Sequence, residues 1–531
     1  MFNLFYILAI LWLIRTFKNV LFWVYLWQLK EYHIGRLKNH FATSKGRGLI
    51  LSYGLAFKIF LIIVFVFSSG FDSFLFGLLF LIYLAESAIF VRQVLRKNFK
   101  KPVFTFKAIL LTTLGGLIPV LFVIWAQNKN LAWLLGFDII LPIIISAVVL
   151  FFQPFFVIKR NMVLSYAKEK IKEFPNVKVI AITGSYGKTS TKEFLTTILS
   201  KKFNVLSTSK HQNSEIGVAN SILNNLNKEH EIFIAEVGAY NKGKVKEVCN
   251  IIKPKIGIVT GVNEQHMALF GSLDNLLSGE GGREMAEILA KDGLLVVNGD
   301  NKYCMDLIKR FHGEERIYTE SNKNLNADIW TESVSVSKDH LSFIAKNKKG
   351  EMANFYVNVL GRQNVQNLLG AILVASELGM SFHEISQALK EIKEEQAGMT
   401  LTLNKHGINI IDSSYSSNPD GVMAELDYLS VFENKKFIVM PCLIELGEKA
   451  GHTHEQIGKK IGQVCNMAVV TSRDYFAEIK KGAEESGMKP TNILFCEKPE
   501  DIYSIITLFA KAGDAVLLEG RVPAGLIKLL K

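Results

Sequence analysis

The sequence predicts an α-helical membrane bundle followed by α/β structure: a P-loop ATPase domain on a parallel sheet, then a Rossmann-like domain. Three observations carry this reading. Residues 1–158 contain successive apolar runs of roughly 20 residues, the length that crosses the hydrocarbon of a bilayer. From residue 177 onward, apolar strand-like runs alternate with helical ones, the pattern of a parallel sheet covered on both faces. Between them stands "VKVIAITGSYGKTSTKEF" (177–194), which reads as a strand, a glycine turn and a helix start.

The apolar runs fall at about 2–27, 48–68, 73–92, 103–125 and 137–158. Apolar residues make up 49% of the 531, and the mean hydropathy is +0.23. The first run carries Arg15 and Lys18, which allows either two half-spans or an interfacial helix. No small-residue cleavage site follows it, which argues against a signal peptide. Glu86 in the third run is expected to reach the interface near Arg92, although intramembrane carboxylates are often functional.

The formal net charge of +12 asks for an anionic partner. Its basic residues crowd beside the apolar runs, in "LKEYHIGRLKNHFATSKGR" and "RQVLRKNFKKP", while "SSGFDS" has none. No aromatic-interleaved basic stripe appears, so a membrane surface is expected rather than nucleic acid. The positive-inside rule puts both basic loops in the cytoplasm. The N-terminus is then outside, and everything after Lys159-Arg160 is inside. The expected location is a bacterial cell membrane, multi-pass, with the α/β domains cytoplasmic. Five scattered cysteines, without CxxC spacing, are expected to be buried and inert in a reducing compartment.

After an amphipathic connector, strand runs "VKVIAITG", "EIFIAEVGA", "KIGIVTGV" and "GLLVVNGD" alternate with helices. Antiparallel additions are expected near 325–358, and a second βα series from "INIIDSSYSSNPDG" to "AVLLEG". The expected domains are 1–158, 159–396 and 397–531, the last two joined near 395–402. There is no internal repeat or low-complexity tract.

In the turn, Gly184 and Gly187 let backbone N–H groups face phosphate oxygens at the positive end of a helix. Ser185, Tyr186 and Ser190 complete the cradle. Lys188 would reach the β- and γ-phosphates of ATP, and the Thr189 hydroxyl would ligate Mg²⁺. The general pattern wants a further glycine where Ile182 stands.

The variant Thr-Gly-x-x-Gly-Lys-Thr resembles the Mur ligase family, and the likeness continues in order along 177–531. "HQNSEIGVANSIL", with Asn213, looks like the family's Asn-rich segment, and "IFIAEVGAYNKGKVKEV" like its strand with a Mg²⁺-binding Glu, here Glu236. "VTGVNEQHMALFGSLDNL" looks like its His-bearing loop, giving His266. "VVNGD" and "GRQNVQNLLGA" resemble its ATP-side segments, giving Asn298, Asn364 and Asn367. "IIDSSYSSNPDGVMAEL" and "LIELGEKAGHTHEQIG" are similar to the members that add D-alanyl-D-alanine, with Asp412 and Asn418 as substrate contacts. The resemblance implies an ATP- and Mg²⁺-dependent ligase that joins a carboxylate to an amine through an acyl phosphate. It implies one metal at Thr189 and Glu236 and a second near His266, in peptidoglycan precursor or other envelope synthesis.

Four departures bear on this. Where the family carries a carbamylated lysine, fourteen residues after the His, this chain has Glu280, which either supplies the carboxylate directly or marks a lost site. Gln363 replaces a His. Gly398 stands for an Arg, and Pro441, Cys442 and Glu519 interrupt motifs of the amino-substrate side. The uridine-nucleotide-binding domain is replaced by the apolar runs, which points to a carboxylate acceptor presented at the membrane on a lipid. Two rivals remain. A transport ATPase would use "LLSGEGGR" as a signature, and a non-catalytic ATP-binding scaffold would have lost the altered positions.

Overall fold

The computed structural model describes all residues except 1, 51, 68–71, 97–98, 128–129, 211, 290–291, 321–325 and 415–416. The connections expected at "SSGFDS" and "AQNKN" therefore lie partly outside the described residues. The chain divides into two compact units, Met1–Asn161 and Met162–Lys531.

The first unit is helical. Among the described residues, five helical stretches are long and apolar enough to cross a membrane, by length and composition: Phe5–Leu29, Gly46–Phe65, Phe76–Leu95, Phe106–Ala126 and Ala132–Lys172. The first is not broken into half-spans, since Phe2–Leu29 is one helix. The charge at Arg15 is met by carboxylates from other helices, so the helix does not have to end there. The last runs on through the expected connector to Lys172, past the expected boundary at 158. Trp12, Trp27, Tyr83, Leu111 and Ile145 fill the interior, while Ile10, Phe60, Leu81, Leu121, Ile143 and Phe151 face outward. Glu86, expected at the interface near Arg92, is instead held by cations of other helices. It pairs with Arg15 Nε at 2.8 Å and Lys58 Nζ at 3.4 Å, because buried cations compensate it better than an interface would.

The second unit contains two sheets. The first has nine strands: β1 (Lys178–Thr183), β2 (Val205–Ser207), β3 (Ile232–Glu236), β4 (Ile256–Val259), β5 (Leu294–Asn298), β6 (Glu314–Thr319), β7 (Ile329–Val336), β8 (Leu341–Asn347) and β9 (Met352–Val357). Their order is β2-β3-β1-β4-β5-β6-β7-β8-β9. Pairs from β2 to β7 are parallel, and β7-β8-β9 are antiparallel. Alternation along β1 sets the two faces: Ile180 and Ile182 enter one core with Phe194 and Leu195, and Val179 and Ala181 enter the other with Val218 and Phe233. Phe194 is fully buried, which contributes about 1.5–3 kcal/mol. The chain leaves β1 toward β2 and returns past it to β4. A crevice therefore opens at the carboxyl end of β1, where ligands bind in such sheets.

The second sheet joins β10 (Thr400–Leu403), β11 (Asn409–Ser413), β12 (Lys436–Met440), β13 (Met467–Val470), β14 (Ile493–Phe495) and β15 (Ala515–Glu519), in the order β10-β11-β15-β12-β13-β14. Only β10 is antiparallel. β15 slots between β11 and β12 and carries Glu519 to their carboxyl ends. Cys249, Cys304, Cys442 and Cys465 are buried as expected, but Cys496, just past β14, is half-exposed. None of the five is in a disulfide.

At the end of β15, Glu519 meets Glu425 from the helix Pro419–Leu429, and the two side chains hydrogen-bond to each other. Both are buried, and Ser413 Oγ donates to Glu425 at 2.6 Å. Burial, then the neighbouring carboxylate, pushes Glu425 well above the usual carboxylate range. The folded chain therefore keeps a proton that the unfolded chain gives up at about pH 4.3, so stability falls as pH rises above that value. Glu425→Gln keeps both hydrogen bonds without the proton. It is expected to raise the melting temperature at pH 8 by about 2–4 °C and to lose that advantage toward pH 4, as followed by calorimetry across pH.

Candidate active site

The loop from β1 to the helix Lys188–Leu199 is built by close approach of backbones. Gly184 has φ +140° and Gly187 φ +75°. A Cβ on Gly184 would lie 2.3 Å from Thr260 Oγ1, and one on Gly187 2.3 Å from Asn367 Oδ1. Thr260 and Gly261 follow β4, and the Thr260 hydroxyl donates to the carbonyls of Thr183 and Tyr186, which clamps the loop from below. Ser185 N–H donates to Gly261 O at 2.7 Å. The amides of Lys188, Thr189 and Ser190 open the helix and have no carbonyl behind them within it, which favours an anion. Lys188 Nζ folds over this cradle and donates to Gly184 O and Ser185 O.

Two carboxylates flank the loop. Glu236, at the end of β3, is buried. Its Oε1 accepts from Thr189 Oγ1 and from Asn213 Nδ2, both at 3.0 Å. Its Oε2 has no hydrogen-bond partner, and Lys192 Nζ stands 3.5 Å away. Lys192 is itself fully buried and donates to Thr208 O at 2.8 Å. On the other side Glu280 accepts from His266 Nδ1 at 2.9 Å and from Ser185 Oγ at 2.8 Å. Burial alone would push Glu280 up. The charge and hydrogen bond of His266, the charge of Lys188 and the Ser185 hydroxyl outweigh that and hold it below the usual range. Glu280 is thus an ionised carboxylate inside the protein.

These donors fit ATP and Mg²⁺. The cradle has no room for a Cβ, it runs into a helix N-terminus, and a buried carboxylate oxygen without a hydrogen-bond partner lies beside a hydroxyl. Among the described residues no group of three or more His, Cys, Asp or Glu side chains could hold a metal. A cation here would take hard oxygens from Glu236 and Thr189 and complete its shell with phosphate and water, as Mg²⁺ does. His266 and Glu280 form a second candidate pair.

Other expected residues are placed differently. The Tyr186 ring packs where a Cβ of Gly261 would go, and its hydroxyl accepts from Asn301 Nδ2 at 3.3 Å, so this side chain shapes the loop from behind. Ser190 Oγ points to Ala397 O at 3.4 Å. Asn298 is buried and donates to Thr260 O and Gln366 Oε1, and Asn364 donates to Leu360 O. Asn367 does face the cradle. Asp412 bonds Ser414 and Lys531, and Asn418 caps its helix at Gly421 N. Asn418 is also where the two α/β parts meet: Asn263 Nδ2 donates to Asn418 Oδ1 at 3.2 Å and Asp420 Oδ2 at 2.8 Å, and Lys449 pairs with Glu264. The sequence reading missed Thr260, Gly261, Asn263 and Lys192. A Thr-Gly pair directly after an apolar strand was the available signal for the first two.

"LLSGEGGR" is accounted for by this geometry. It ends the short helix Leu273–Ser278 and turns Glu280 onto His266, rather than forming a transporter signature. Residues 182–375 match the Mur ligase middle domain, and residues 399–522 match the Mur ligase glutamate ligase domain. Together the two matches take in more than half of the chain. The chain belongs to the Mur ligase family. Members of this family are ATP-dependent ligases that form amide bonds, and the matched parts are two of its domains. The chain is 36% identical over 292 residues to UDP-N-acetylmuramoyl-tripeptide--D-alanyl-D-alanine ligase of Borreliella burgdorferi, covering 54% of this chain and 60% of that protein. It is 26% identical to the enzyme of the same name from Bacillus subtilis, covering 66% and 75%. Among solved structures, MurF from Acinetobacter baumannii superposes with a TM-score of 0.62 at 22% identity, over 70% of this chain and 79% of that one. MurF from Thermotoga maritima, in complex with ADP, gives 0.59 at 23%, over 70% and 82%. At such identities the structures show the shared Mur ligase fold.

The cradle predicts a sharp steric result. Gly187→Ala is expected to weaken binding of a non-hydrolysable ATP analogue at least about tenfold, roughly 1.4 kcal/mol, because left-handed backbone and the Asn367 contact both oppose the methyl. Titration calorimetry reads the affinity, and circular dichroism checks that the fold persists.

Proposed function

We propose that this chain is an ATP-dependent carboxylate–amine ligase of the D-alanyl-D-alanine-adding type, acting in peptidoglycan precursor synthesis and held at a membrane by its N-terminal helices. The observation that carries the ligase reading is the placement of two buried carboxylates, Glu236 and Glu280, on either side of one phosphate cradle. In such a reaction a substrate carboxylate oxygen bonds to the γ-phosphorus of ATP and ADP leaves. An amine then bonds to the acyl carbon and gives up a proton, and phosphate leaves with the electron pair of the single bond that joined its oxygen to that carbon. Lys188 and the helix amides would stabilise the transferring charge, and Thr189 with Glu236 would hold Mg²⁺. His266 and Glu280 would fix the second pole of the site, with Ser185 holding the Glu280 carboxylate in place.

Support for the membrane part is the inverted polarity of the first unit. Its helices turn large apolar side chains outward and hold Arg15, Lys58 and Asp138 inside, which an aqueous surface would penalise and hydrocarbon would not. With the α/β domains inside the cell, where ATP is, the acceptor is read as a lipid-linked muramoyl peptide. The purified chain, given ATP, D-Ala-D-Ala and either a UDP-linked or a lipid-linked acceptor, is expected to release ADP faster with the lipid-linked one. Faster turnover of the soluble acceptor would sink the lipid part alone. ATP binding without ADP release from any acceptor would favour the scaffold reading.

Two variants test the residue roles. Lys188→Ala is expected to abolish ADP release. Because Glu280 is an encoded carboxylate, wild-type activity is expected to be unchanged when bicarbonate and CO₂ are removed. Glu280→Gln should lower kcat by about 10–100-fold, the range for groups that support a metal or its ligands.

A further inference from the structure

Four helices of the first unit bring Arg15, Lys58, Glu86 and Asp138 to one interior place. The side chain of Asp138, from Ala132–Lys172, is fully enclosed and saturated. Its Oδ1 accepts from Trp12 Nε1 at 3.0 Å and from Arg15 Nη1, and its Oδ2 accepts from Lys58 Nζ at 3.0 Å and Tyr83 Oη at 3.3 Å. Glu86 lies on the other side of the same two cations. Its side chain is 34% exposed, so the cluster reaches the surface of the bundle there.

Lys18 lies one turn beyond Arg15 on the same helix. Among the described residues it has no hydrogen bond or ion pair, and the charges that act on it are Glu86, attractive, and Arg15, repulsive. Three cations (Arg15, Lys18, Lys58) therefore share two carboxylates (Glu86, Asp138), an excess of one positive charge at the accessible edge. A structural pin has no use for that excess. Charges among apolar helices are costly, and well-packed apolar residues often hold such a core as firmly. The excess calls for an anion, and the outward faces around it are apolar, so the anion would arrive on an apolar carrier.

We propose that Arg15, Lys18 and Lys58 form a receptor for a phosphate group borne on a lipid chain, with Glu86 as the internal anion with which that phosphate competes. The proposal rests on the reading that these helices cross a bilayer. Lys18 supplies the free charge, Arg15 and Lys58 are held in place by Asp138, and Glu86 limits affinity so that the phosphate can leave.

The test uses the full chain in neutral detergent, titrated with dioctanoyl phosphatidic acid, dioctanoylglycerol or inorganic phosphate while thermal unfolding is followed. Phosphatidic acid is expected to raise the melting temperature saturably. Lys18→Gln, which breaks no hydrogen bond or ion pair among the described residues, should weaken that binding at least about tenfold, and Glu86→Gln should tighten it. Equal stabilisation by dioctanoylglycerol, or wild-type binding by Lys18→Gln, would overturn the proposal. Inorganic phosphate matching phosphatidic acid would overturn the lipid carrier. Release of the chain from membranes by alkaline carbonate would instead overturn the membrane reading, and it is scored separately.

Discussion

A carboxylate removed from water must be surrounded by donors or give up its charge, and the arrangement around the phosphate loop follows from how Glu280 meets that requirement. His266 from its own loop and Ser185 from the phosphate loop bond to it, and the charge of Lys188, at the end of that same loop, acts on it. Satisfying this one buried charge therefore fixes the His-bearing loop against the turn after β1 and the start of the helix at Lys188. Glu236 repeats the solution on the far side with Thr189, Asn213 and Lys192. Between the two, the glycines bring backbones closer than any side chain would permit.

The same electrostatic logic operates in the first unit, with apolar helices as the surroundings. Asp138 organises Trp12, Arg15, Lys58 and Tyr83 much as Glu280 organises its neighbours. The Glu425–Glu519 pair solves the problem differently, because among the described residues no cation lies against it and a retained proton takes that place. These four buried acidic centres thus use two remedies, cationic partners or protonation, according to what the local chain supplies.

Much of the site was legible in the sequence wherever chemistry demands fixed offsets. Gly184, Gly187, Lys188 and Thr189 stand where a backbone cradle needs them, and Glu236 ends an apolar strand. Glu280 could be found only by counting from His266 along a family pattern, and nothing in its surroundings announced a carboxylate site. Thr260 and Gly261 escaped because their part depends on a close approach to residues more than seventy positions earlier. Lys192 escaped because a lysine in a helix reads as a solvent contact, whereas here the helix turns it under the sheet end toward Glu236. Strands β2 and β6 were missed since one has three residues and the other, "EERIYT", opens on two charges. Parallel pairing with β3 and β5 makes them strands, and single-strand patterns carry no trace of that. Glu86 shows the opposite error: a charge at the end of an apolar run was assigned to an interface, although its partners were waiting on other helices.

The distribution of thiols has a practical side. Four cysteines are enclosed, and burial pushes Cys249 and Cys304 up to about 12, far from the thiolate that alkylating reagents need. Cys496 is the half-exposed one, just past β14 in the second α/β sheet. A maleimide fluorophore added to the unaltered chain would therefore settle on a single position in that sheet. The native sequence thus carries its own labelling site, from which movement of the C-terminal part during turnover could be watched without removing any cysteine.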